Sequence, residues 1–440
     1  MGLGMRRRRF ATVLVAAVAV VASVTACAKE DSGGGDSGDK IELTVDIFAD
    51  QGFGYDDLYT EYMKSHPNIK ITERGKGLGL SDYNTRLIQW MTSGSGAGDI
   101  VALEEGTIVQ FKAQAAQFVN LFDHDTRSLE SNFTNWKWKQ GQSADGKQLI
   151  GLGTDIGSMA VCYRKDLFLK AGLPTERDQV AALWPTWEKF IEVGKQYAAK
   201  ETTTKFVDAA TNIYNTVLMQ AAGNGTGYTY FDTGDKLVLE TNPDIKRAWD
   251  VTVAAINANL SANLRSFSDA WNTGFKQGQF ATIGCPAWMT GVIKGQAGDA
   301  AAGKWDVAKA PGEGGNWGGS FLAVPKQSKH PKEAAELAKF LTSPHGQLEA
   351  FKKLGNLPSS PKALADPVVT EAKNEYFNGA PTGQIFGSGA LQIKPVWLGS
   401  RNQAVRDEVE NALRSIEQKQ ATPDEAWQAA IKNGTAAGKS

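Results

Sequence analysis

The chain has 440 residues, of which 42% are hydrophobic and 22% are charged, and its formal net charge is -1. This near-neutral balance argues against a nucleic-acid partner, which requires a basic face. Three cysteines and four histidines are too few for a disulfide framework or a four-thiolate zinc site, so we expect no metal and no other cofactor. A chain of this length exceeds what one hydrophobic core usually supports, which predicts two domains.

Residues 1–26 predict an export signal. The basic start MRRRRF is followed by the apolar stretch ATVLVAAVAVVAS and then by small residues. The VTAC sequence that ends at Cys27 resembles the bacterial lipobox, in which the cysteine receives a diacylglycerol and becomes the new N-terminus. We therefore predict a lipid anchor at Cys27. A plain cleaved leader and a membrane helix are the alternatives, and the apolar stretch is short for a membrane span.

Residues 27–40 predict a flexible tether between this anchor and the folded part of the chain. Most of them are glycine, serine, aspartate or lysine. A coil of this composition has a mean reach of roughly 20 Å. The protein is therefore expected at the extracellular face of the cell membrane, held by lipid.

The segment after residue 40 alternates between strand and helix patterns. KIELTVDIFA predicts a first strand, and Leu58, Tyr62 and Met63 share one face of a helix that stops at His66 and Pro67. IKITE predicts a second strand, and DYNTRLIQWMTSGSGAGDIVALEEG repeats helix, glycine-rich turn and strand. This order is typical of a mainly parallel sheet covered by helices.

Later segments are richer in helices. Thr186 is placed to cap a helix in LWPTWEKFIEVGKQYAA. Two amphipathic helices follow residue 330 with a break at Pro344, and two more close the chain. The absence of a repeat of twenty to fifty residues excludes a solenoid.

Four stretches are specific by their order and spacing together, although none is decisive alone: GDIVALEEGTIVQF, LIGLGTDIGSMAVCYRKDLFLKAGLP, GFKQGQFATIGCPAWMTGVI and NWGGSFLAVPKQSKHPKEAAELAKFLTSPHGQ. Together they resemble the carbohydrate-binding family of extracellular solute-binding proteins, the capture subunits of ABC sugar importers. The resemblance covers nearly all of the chain after the tether.

The resemblance implies a two-lobed, periplasmic-binding-protein-like α/β fold. Each lobe would be a mainly parallel sheet flanked by helices, with the ligand cleft between the lobes and hinge closure around the ligand. By this resemblance, lobe one takes residues 41–155 and 284–340, and lobe two takes residues 156–283 and 341–440. The implied protein is a monomer that passes its ligand to ABC permease subunits and is not an enzyme.

The second stretch and the residues after it look closest to binders of cellobiose and longer cello-oligosaccharides. Binders of xylo-oligosaccharides or chitobiose are near alternatives. Stereochemistry is determined by hydroxyl partners whose positions a sequence does not reveal.

A sugar site needs carboxylates or amides for hydroxyl groups and aromatic rings for the apolar C–H faces. Trp288 is the first candidate, because CPAWM follows a predicted crossing strand, where the family places a stacking aromatic residue. Asp155 in GTDIG and the pair Glu104 and Glu105 after DIVAL are the candidate carboxylates, since ligands bind at the carboxyl ends of strands in open sheets. The remaining candidates lie in or near loops: Asn316, Trp317, Gly318, Gly319, Ser320, Trp397, Tyr228, Gln51 and Phe53.

Other residues have alternative roles. Four tryptophans lie beside apolar residues in predicted helices or strands and are expected in the core: Trp187, Trp249, Trp305 and Trp427. Cys162 and Cys285 fall in the two segments that resemble lobe crossings, so we predict a disulfide between them, with buried free thiols as the alternative.

Two other functions fit parts of the pattern. A secreted glycosidase would use two carboxylates on either side of the scissile bond, with Glu104 and Asp155 as candidates. A surface adhesion or structural lipoprotein would have no cleft and no tight small ligand.

Overall fold

The computed structural model describes residues 40–312 and 314–439. The predicted signal of residues 1–26, the lipid anchor at Cys27 and the tether up to residue 39 lie outside the described residues. Within the described part, no helix is long and apolar enough to span a bilayer.

Strands and helices alternate along the described residues. The strands are β1 (Ile41–Asp46), β2 (Ile69–Arg74), β3 (Ile100–Glu104), β4 (Gly151–Gly153), β5 (Met159–Arg164), β6 (Lys205–Val207), β7 (Phe280–Pro286), β8 (Trp305–Lys309) and β9 (Ser320–Ala323). The first helices are α1 (Asp56–Ser65), α2 (Leu80–Ser93), α3 (Glu105–Phe111), α4 (Asn135–Gln140), α5 (Lys165–Lys170), α6 (Arg177–Leu183), α7 (Trp187–Lys200), α8 (Ala210–Asn224) and α9 (Pro243–Asn257). The later helices are α10 (Asp269–Gln277), α11 (Met289–Ala297), α12 (Pro331–Leu341), α13 (Pro344–Leu354), α14 (Pro361–Leu364), α15 (Pro367–Thr370), α16 (Thr382–Ala390), α17 (Asn402–Glu417) and α18 (Pro423–Ala437).

The first sheet has the strand order β2-β1-β3-β9-β4. β1 is parallel to β2 and β3, as the alternating pattern predicted, whereas β9 is antiparallel to β3 and β4. Its strands pack with α1, α2 and α12 around one core that includes Val45, Leu87, Ile100 and Leu337. The carboxyl ends of β1 and β3 therefore lie at the same edge of this sheet.

The second sheet has the strand order β6-β7-β5-β8. β6 and β7 are parallel, and β5 is antiparallel to both β7 and β8. The antiparallel pairing arises because β5 carries the chain away from the first sheet and β7 carries it back. Successive residues of β5 face two cores: Val161 packs with α7, α8, α9 and α17, and Ala160 packs with α10, α11 and α16.

A disulfide joins Cys162 of β5 to Cys285 of β7, with 5.4 Å between their Cα atoms. Both residues are buried in the core that also contains Trp305. The disulfide predicted from the sequence is thus present. It links neighbouring strands of one sheet, because both cysteines belong to the second sheet.

The strand pairing changes the lobe boundary expected at residue 284. Residues 282–286 of β7 pair with β5, and β8 also pairs with β5, so β7 and β8 belong to the second sheet instead of the first. The glycine at position 284 is explained by packing, because a Cβ there would overlap Oγ1 of Thr216 in α8. α13 belongs with the first sheet, because Ala350 packs in the first core and Lys353 pairs with Asp57 of α1 at 2.8 Å. We define the first lobe as residues 41–153 and 320–354, and the second lobe as residues 159–309 and 361–437.

Three segments connect the lobes: residues 154–158, 310–319 and 355–360. They run side by side, since the amide of Ile156 donates to the carbonyl of Leu357 at 2.9 Å and the amide of Trp317 donates to the carbonyl of Gly157 at 2.9 Å. A Cβ at Gly157 would overlap the carbonyl oxygen of Trp317, so only glycine allows this approach. These crossing segments form the floor on which the candidate site is built.

Candidate functional site

Glu105 connects the first lobe to the crossing loop. It follows β3 directly and is buried. Its carboxylate accepts hydrogen bonds from Nε2 of Gln140 at 2.8 Å, from Nδ2 of Asn316 at 3.1 Å and from the amide of Gly318 at 3.1 Å. Burial raises the pKa of Glu105 to about 7, although the charge of Lys137 opposes the increase. This carboxylate therefore holds the glycine-rich loop against the end of β3.

Glu104 begins α3. Its carboxylate accepts a hydrogen bond from the amide of Gly106 at 2.7 Å, which is a helix N-cap interaction. Burial raises its pKa, and Arg406 of α17 is the first opposing charge. Because Arg406 belongs to the second lobe, charges of opposite sign face each other across the space between the lobes.

Lys137 of α4 is fully buried. Within the described residues, its Nζ has no hydrogen-bond partner, and it lies 4.0 Å from the centre of the Phe321 ring. Burial lowers the pKa of Lys137, and the charges of Glu105, Asp155 and Glu104 oppose that decrease. One buried cation thus lies among three carboxyl groups. The sequence interpretation missed Lys137, although its position between two tryptophans in NWKWKQ was a signal of burial.

Asp155 lies on the first crossing segment and is half-buried. Its Oδ1 accepts hydrogen bonds from the hydroxyl of Thr154 at 2.6 Å and from the amide of Ser320 at 3.0 Å. This carboxylate therefore fixes the beginning of β9 as well as being a candidate ligand contact. A Cβ at Gly319 would lie 3.0 Å from Nζ of Lys137, so the glycine permits close approach of the buried lysine.

Trp288 follows β7 and is half-buried at the edge of the second sheet. Its indole Nε1 donates a hydrogen bond to the carbonyl of Trp317 at 3.0 Å, and the two rings are 6.3 Å apart at an angle of 74°. The guanidinium carbon of Arg406 lies 5.9 Å from the Trp317 ring. The crossing segment thus contacts the Trp288 indole at Trp317 and the Glu105 carboxylate at Gly318.

Trp397 and Tyr228 are neighbours in the second lobe. The amide of Trp397 donates to the carbonyl of Gly227 at 2.8 Å, and a backbone bridge joins it to Tyr228. Nζ of Lys112 lies 5.8 Å from the Trp397 ring, and burial lowers the pKa of Lys112 to about 8. The buried Nε1 of Trp397 has no hydrogen-bond partner among the described residues. A donor of this kind can bind a ligand oxygen.

Phe53 takes a different position from that expected of a ligand contact, whereas the role of Gln51 stays a prediction. Phe53 is only 7% exposed and packs edge-on against Phe48, with 5.0 Å between ring centres. The positive φ angles of Gly52 and Gly54, 63° and 80°, turn this ring into the first core. The side chain of Gln51 is exposed and lies beside α11. The Phe53 prediction is therefore corrected to a core role.

Three of the four tryptophans predicted in the core are buried, as expected. The fourth, Trp427, is half-buried and lies 4.9 Å from the ring of Trp249. The fully or nearly buried ones are Trp187, Trp249 and Trp305. Within the described residues, no group of three or more histidine, cysteine, aspartate or glutamate side chains could hold a metal ion.

Two sheets joined by adjacent crossing segments, with carboxylates and indoles between them, define a protein that binds a small ligand between lobes. The chain belongs to the bacterial extracellular solute-binding protein family, whose model matches residues 57–377. This family binds solutes and does not convert them, which excludes the glycosidase alternative.

Relatives and a solved structure agree with this assignment. The chain is 26% identical over 425 residues to an arabinooligosaccharide-binding protein of Bacillus subtilis, covering 92% of this chain and 93% of that protein. It is 23% identical over 218 residues to an arabinooligosaccharide-binding protein of Halalkalibacterium halodurans, and this match spans 48% of the chain and 45% of the relative. A crystal structure of a family 1 extracellular solute-binding protein is 41% identical, with a TM-score of 0.78, over 90% of this chain and all of that one.

Proposed function

We propose that this protein captures an oligosaccharide outside the cell and delivers it to an ABC permease. One observation carries the proposal. The crossing segment of residues 310–319 links the Trp288 indole of the second lobe to the Glu105 carboxylate of the first, since Nε1 of Trp288 donates to the carbonyl of Trp317 and the amide of Gly318 donates to Glu105. Flat apolar faces beside a fixed carboxylate match the C–H faces and hydroxyl edges of a sugar.

The energies of such contacts are sufficient for binding. If each indole covers about 60 Å² of apolar surface, burial contributes roughly 1.5 kcal/mol for each ring. Hydrogen bonds from sugar hydroxyls to charged groups contribute about 1.5–3 kcal/mol each. Two rings and two or three such bonds reach the roughly 8 kcal/mol of a micromolar complex.

The charges around the cleft favour a neutral sugar. Carboxyl groups and cations occur there in similar number. The cleft therefore has no large net charge that would attract an acidic or a basic ligand. The carboxyl groups are Glu104, Glu105, Asp155 and Glu410, and the cations are Lys112, Lys137 and Arg406, the last of which pairs with Glu410 at 2.9 Å.

Within neutral oligosaccharides, we propose cellobiose and longer cello-oligosaccharides first, on the resemblance of residues 159–190 to binders of those sugars. The names of two relatives make arabino-oligosaccharides a second class to test. Xylo-oligosaccharides and chitobiose complete the panel.

Titration calorimetry of the exported protein against these four series tests the function. We expect micromolar or tighter binding to at least one series and no binding of amino acids. The absence of heat with every sugar would contradict the proposal.

The lipid anchor is a separate proposal. Cys27→Ser removes the thiol that would be acylated, so the variant should appear in the growth medium while the parent protein stays with the membrane fraction. Retention of the variant in the membrane fraction would contradict acylation at Cys27.

A further inference from the structure

Phe267 has a conspicuous position in the second lobe. It is 48% exposed, and it is the aromatic member of the group of large apolar side chains that are substantially exposed in the described residues. It lies in the loop that precedes α10, next to the N-cap residue Ser268. A single exposed ring is common on protein surfaces, so the backbone and the neighbours of Phe267 decide whether it has a role.

The backbone holds Phe267 in an unfavourable conformation. Its φ angle is 64°, in the left-handed region, where Cβ of an L-residue lies too close to the following carbonyl oxygen. The loop is fixed on both sides, because the amide of Leu264 donates to the carbonyl of Asp208 at 3.1 Å and the amide of Ser268 donates to the carbonyl of Arg265 at 3.1 Å. A strained aromatic residue in an anchored loop indicates a functional constraint.

Two tryptophans support the ring. Trp271 is fully buried, its ring centre is 5.0 Å from that of Phe267, and its Nε1 donates to Oδ2 of Asp208 at 2.7 Å. Trp288 lies 6.3 Å from Phe267 with only 28° between the ring planes. The orientation of Phe267 is therefore set before any ligand binds.

The three rings Trp317, Trp288 and Phe267 follow one another from the crossing loop to the exposed surface. Each centre is 6.3 Å from the next. This spacing is on the scale of one sugar unit, so successive units of an oligosaccharide can contact successive rings. The line ends at Phe267, where the second lobe meets solvent.

We propose that Phe267 is a chain-length-determining residue that contacts a sugar unit beyond the one on Trp288. The inference rests on the proposed function, because it requires an oligosaccharide at Trp288. A disaccharide on Trp288 and Trp317 leaves Phe267 exposed, and a longer chain covers it. Affinity should therefore increase when the chain is long enough to reach Phe267.

A structural role for Phe267 makes a different prediction. Phe267 precedes the N-cap of α10 and contacts Trp271 in the first turn, much like the hydrophobic contact that fixes the start of a helix. If this contact were its whole role, substitution would change stability and leave the dependence of affinity on chain length unchanged.

The test is titration calorimetry with cello-oligosaccharides and arabino-oligosaccharides of two to five units. Phe267→Ala should weaken binding of the longer sugars by about tenfold and leave disaccharide affinity within about twofold. Phe267→Leu, which keeps apolar contact with Trp271, should show the same loss, and Phe267→Tyr should bind like the parent. Ile88→Ala, at an exposed apolar residue of α2, is the matched control and should change neither the disaccharide affinity nor the affinity for longer sugars.

The other possible results distinguish failure of the proposed function from failure of the inference about Phe267. If the parent binds neither series, both the proposed function for these sugars and this inference fail. If the parent binds and Phe267→Ala has the same affinities at every length, only the inference fails. An equal loss at all lengths also overturns it, because Phe267 would then act only by supporting Trp288. Thermal melting shows whether each variant is folded. If Phe267→Ala does not fold, the comparison of Phe267→Leu with Phe267→Tyr tests the inference instead.

Discussion

The first lobe contributes mainly buried charge to the cleft, whereas the second contributes mainly aromatic surface. Glu105 and Lys137 are buried beside the crossing segments, and burial shifts the pKa of each toward its neutral form. On the other side, Trp288 is half-buried and Phe267 is half-exposed.

The difference follows from what each interaction requires. A buried charge is stable only where neighbours satisfy it from several directions, so it needs a rigid floor made of strand ends and crossing segments. A ring face has no such requirement and can extend toward solvent. We infer that the first lobe selects the hydroxyl pattern and that the second lobe provides contact area.

The largest expected effect is on the charged side. Lys137→Ala empties the space of a fully buried side chain and removes the positive charge that opposes the pKa increase of Glu105, so the free energy of unfolding should decrease by about 3–5 kcal/mol. Lys139→Ala, at an exposed lysine of the same helix, is the control and should change it by less than about 0.5 kcal/mol. Denaturant unfolding measures both. Equal stability of the two variants would show that Lys137 does not balance the carboxylates.

Removal of the disulfide should affect the second lobe selectively. Cys162→Ala with Cys285→Ala opens a loop with a sequence separation of 123, and the free energy of unfolding should decrease by about 2–5 kcal/mol. Hydrogen exchange should accelerate in β5 and β7 before it changes in β1 and β3. Melting curves that are identical before and after reduction of the parent protein would contradict this prediction.

Trp288→Ala tests the aromatic side. Loss of the indole should weaken oligosaccharide binding by about 2–4 kcal/mol, the range of a buried anchor residue. Trp427→Ala, at a half-buried tryptophan on the outer side of the same lobe, should reduce stability without changing affinity. Unchanged affinity of Trp288→Ala refutes the site, and a collapsed melting temperature places Trp288 in the core.

A pH titration compares one buried carboxyl group from each lobe. Burial raises the pKa of Glu105 and of Asp208 to about 7, from ordinary values of 4.5 and 3.8. The folded protein keeps protons that the unfolded chain releases, so stability should decrease as pH rises from about 4 to about 7.

The variants Glu105→Gln and Asp208→Asn should each flatten this decrease by at most about 3–4 kcal/mol, since one unit of pKa shift corresponds to about 1.4 kcal/mol. Thermal melting at a series of pH values measures the slope. A slope that neither variant changes would mean that other groups determine the pH dependence.

Local sequence patterns predicted much of the fold. Alternating strand and helix patterns predicted β1 to β3 with α1 and α2 between them. Thr186 was expected to cap a helix, and its side chain accepts a hydrogen bond from the amide of Lys189 at 3.3 Å. Pro344 was expected to separate two helices, and α13 begins there. These features depend on residues a few positions apart, which is why the sequence alone was sufficient.

The family resemblance placed Cys162 and Cys285 in two crossing segments of an exported protein and so predicted the disulfide, and apolar context predicted the burial of three tryptophans. It placed Trp288 at the end of a strand and Glu105 at the end of another. It did not reveal that β7 stays within the second sheet, since strand pairing depends on β5, more than one hundred residues earlier.

Only the tertiary structure decided which polar residues are buried and which rings face solvent. Lys137 becomes a buried cation because Glu104, Glu105 and Asp155 gather around it from separate segments. Phe53 turns inward through the backbone angles of two glycines, and Phe267 turns outward through its own left-handed φ angle. Burial and ring orientation result from contacts between segments distant in sequence. Length and periodicity therefore predicted two domains and the first parallel strands, the family resemblance predicted the two lobes, and long-range packing determined the site.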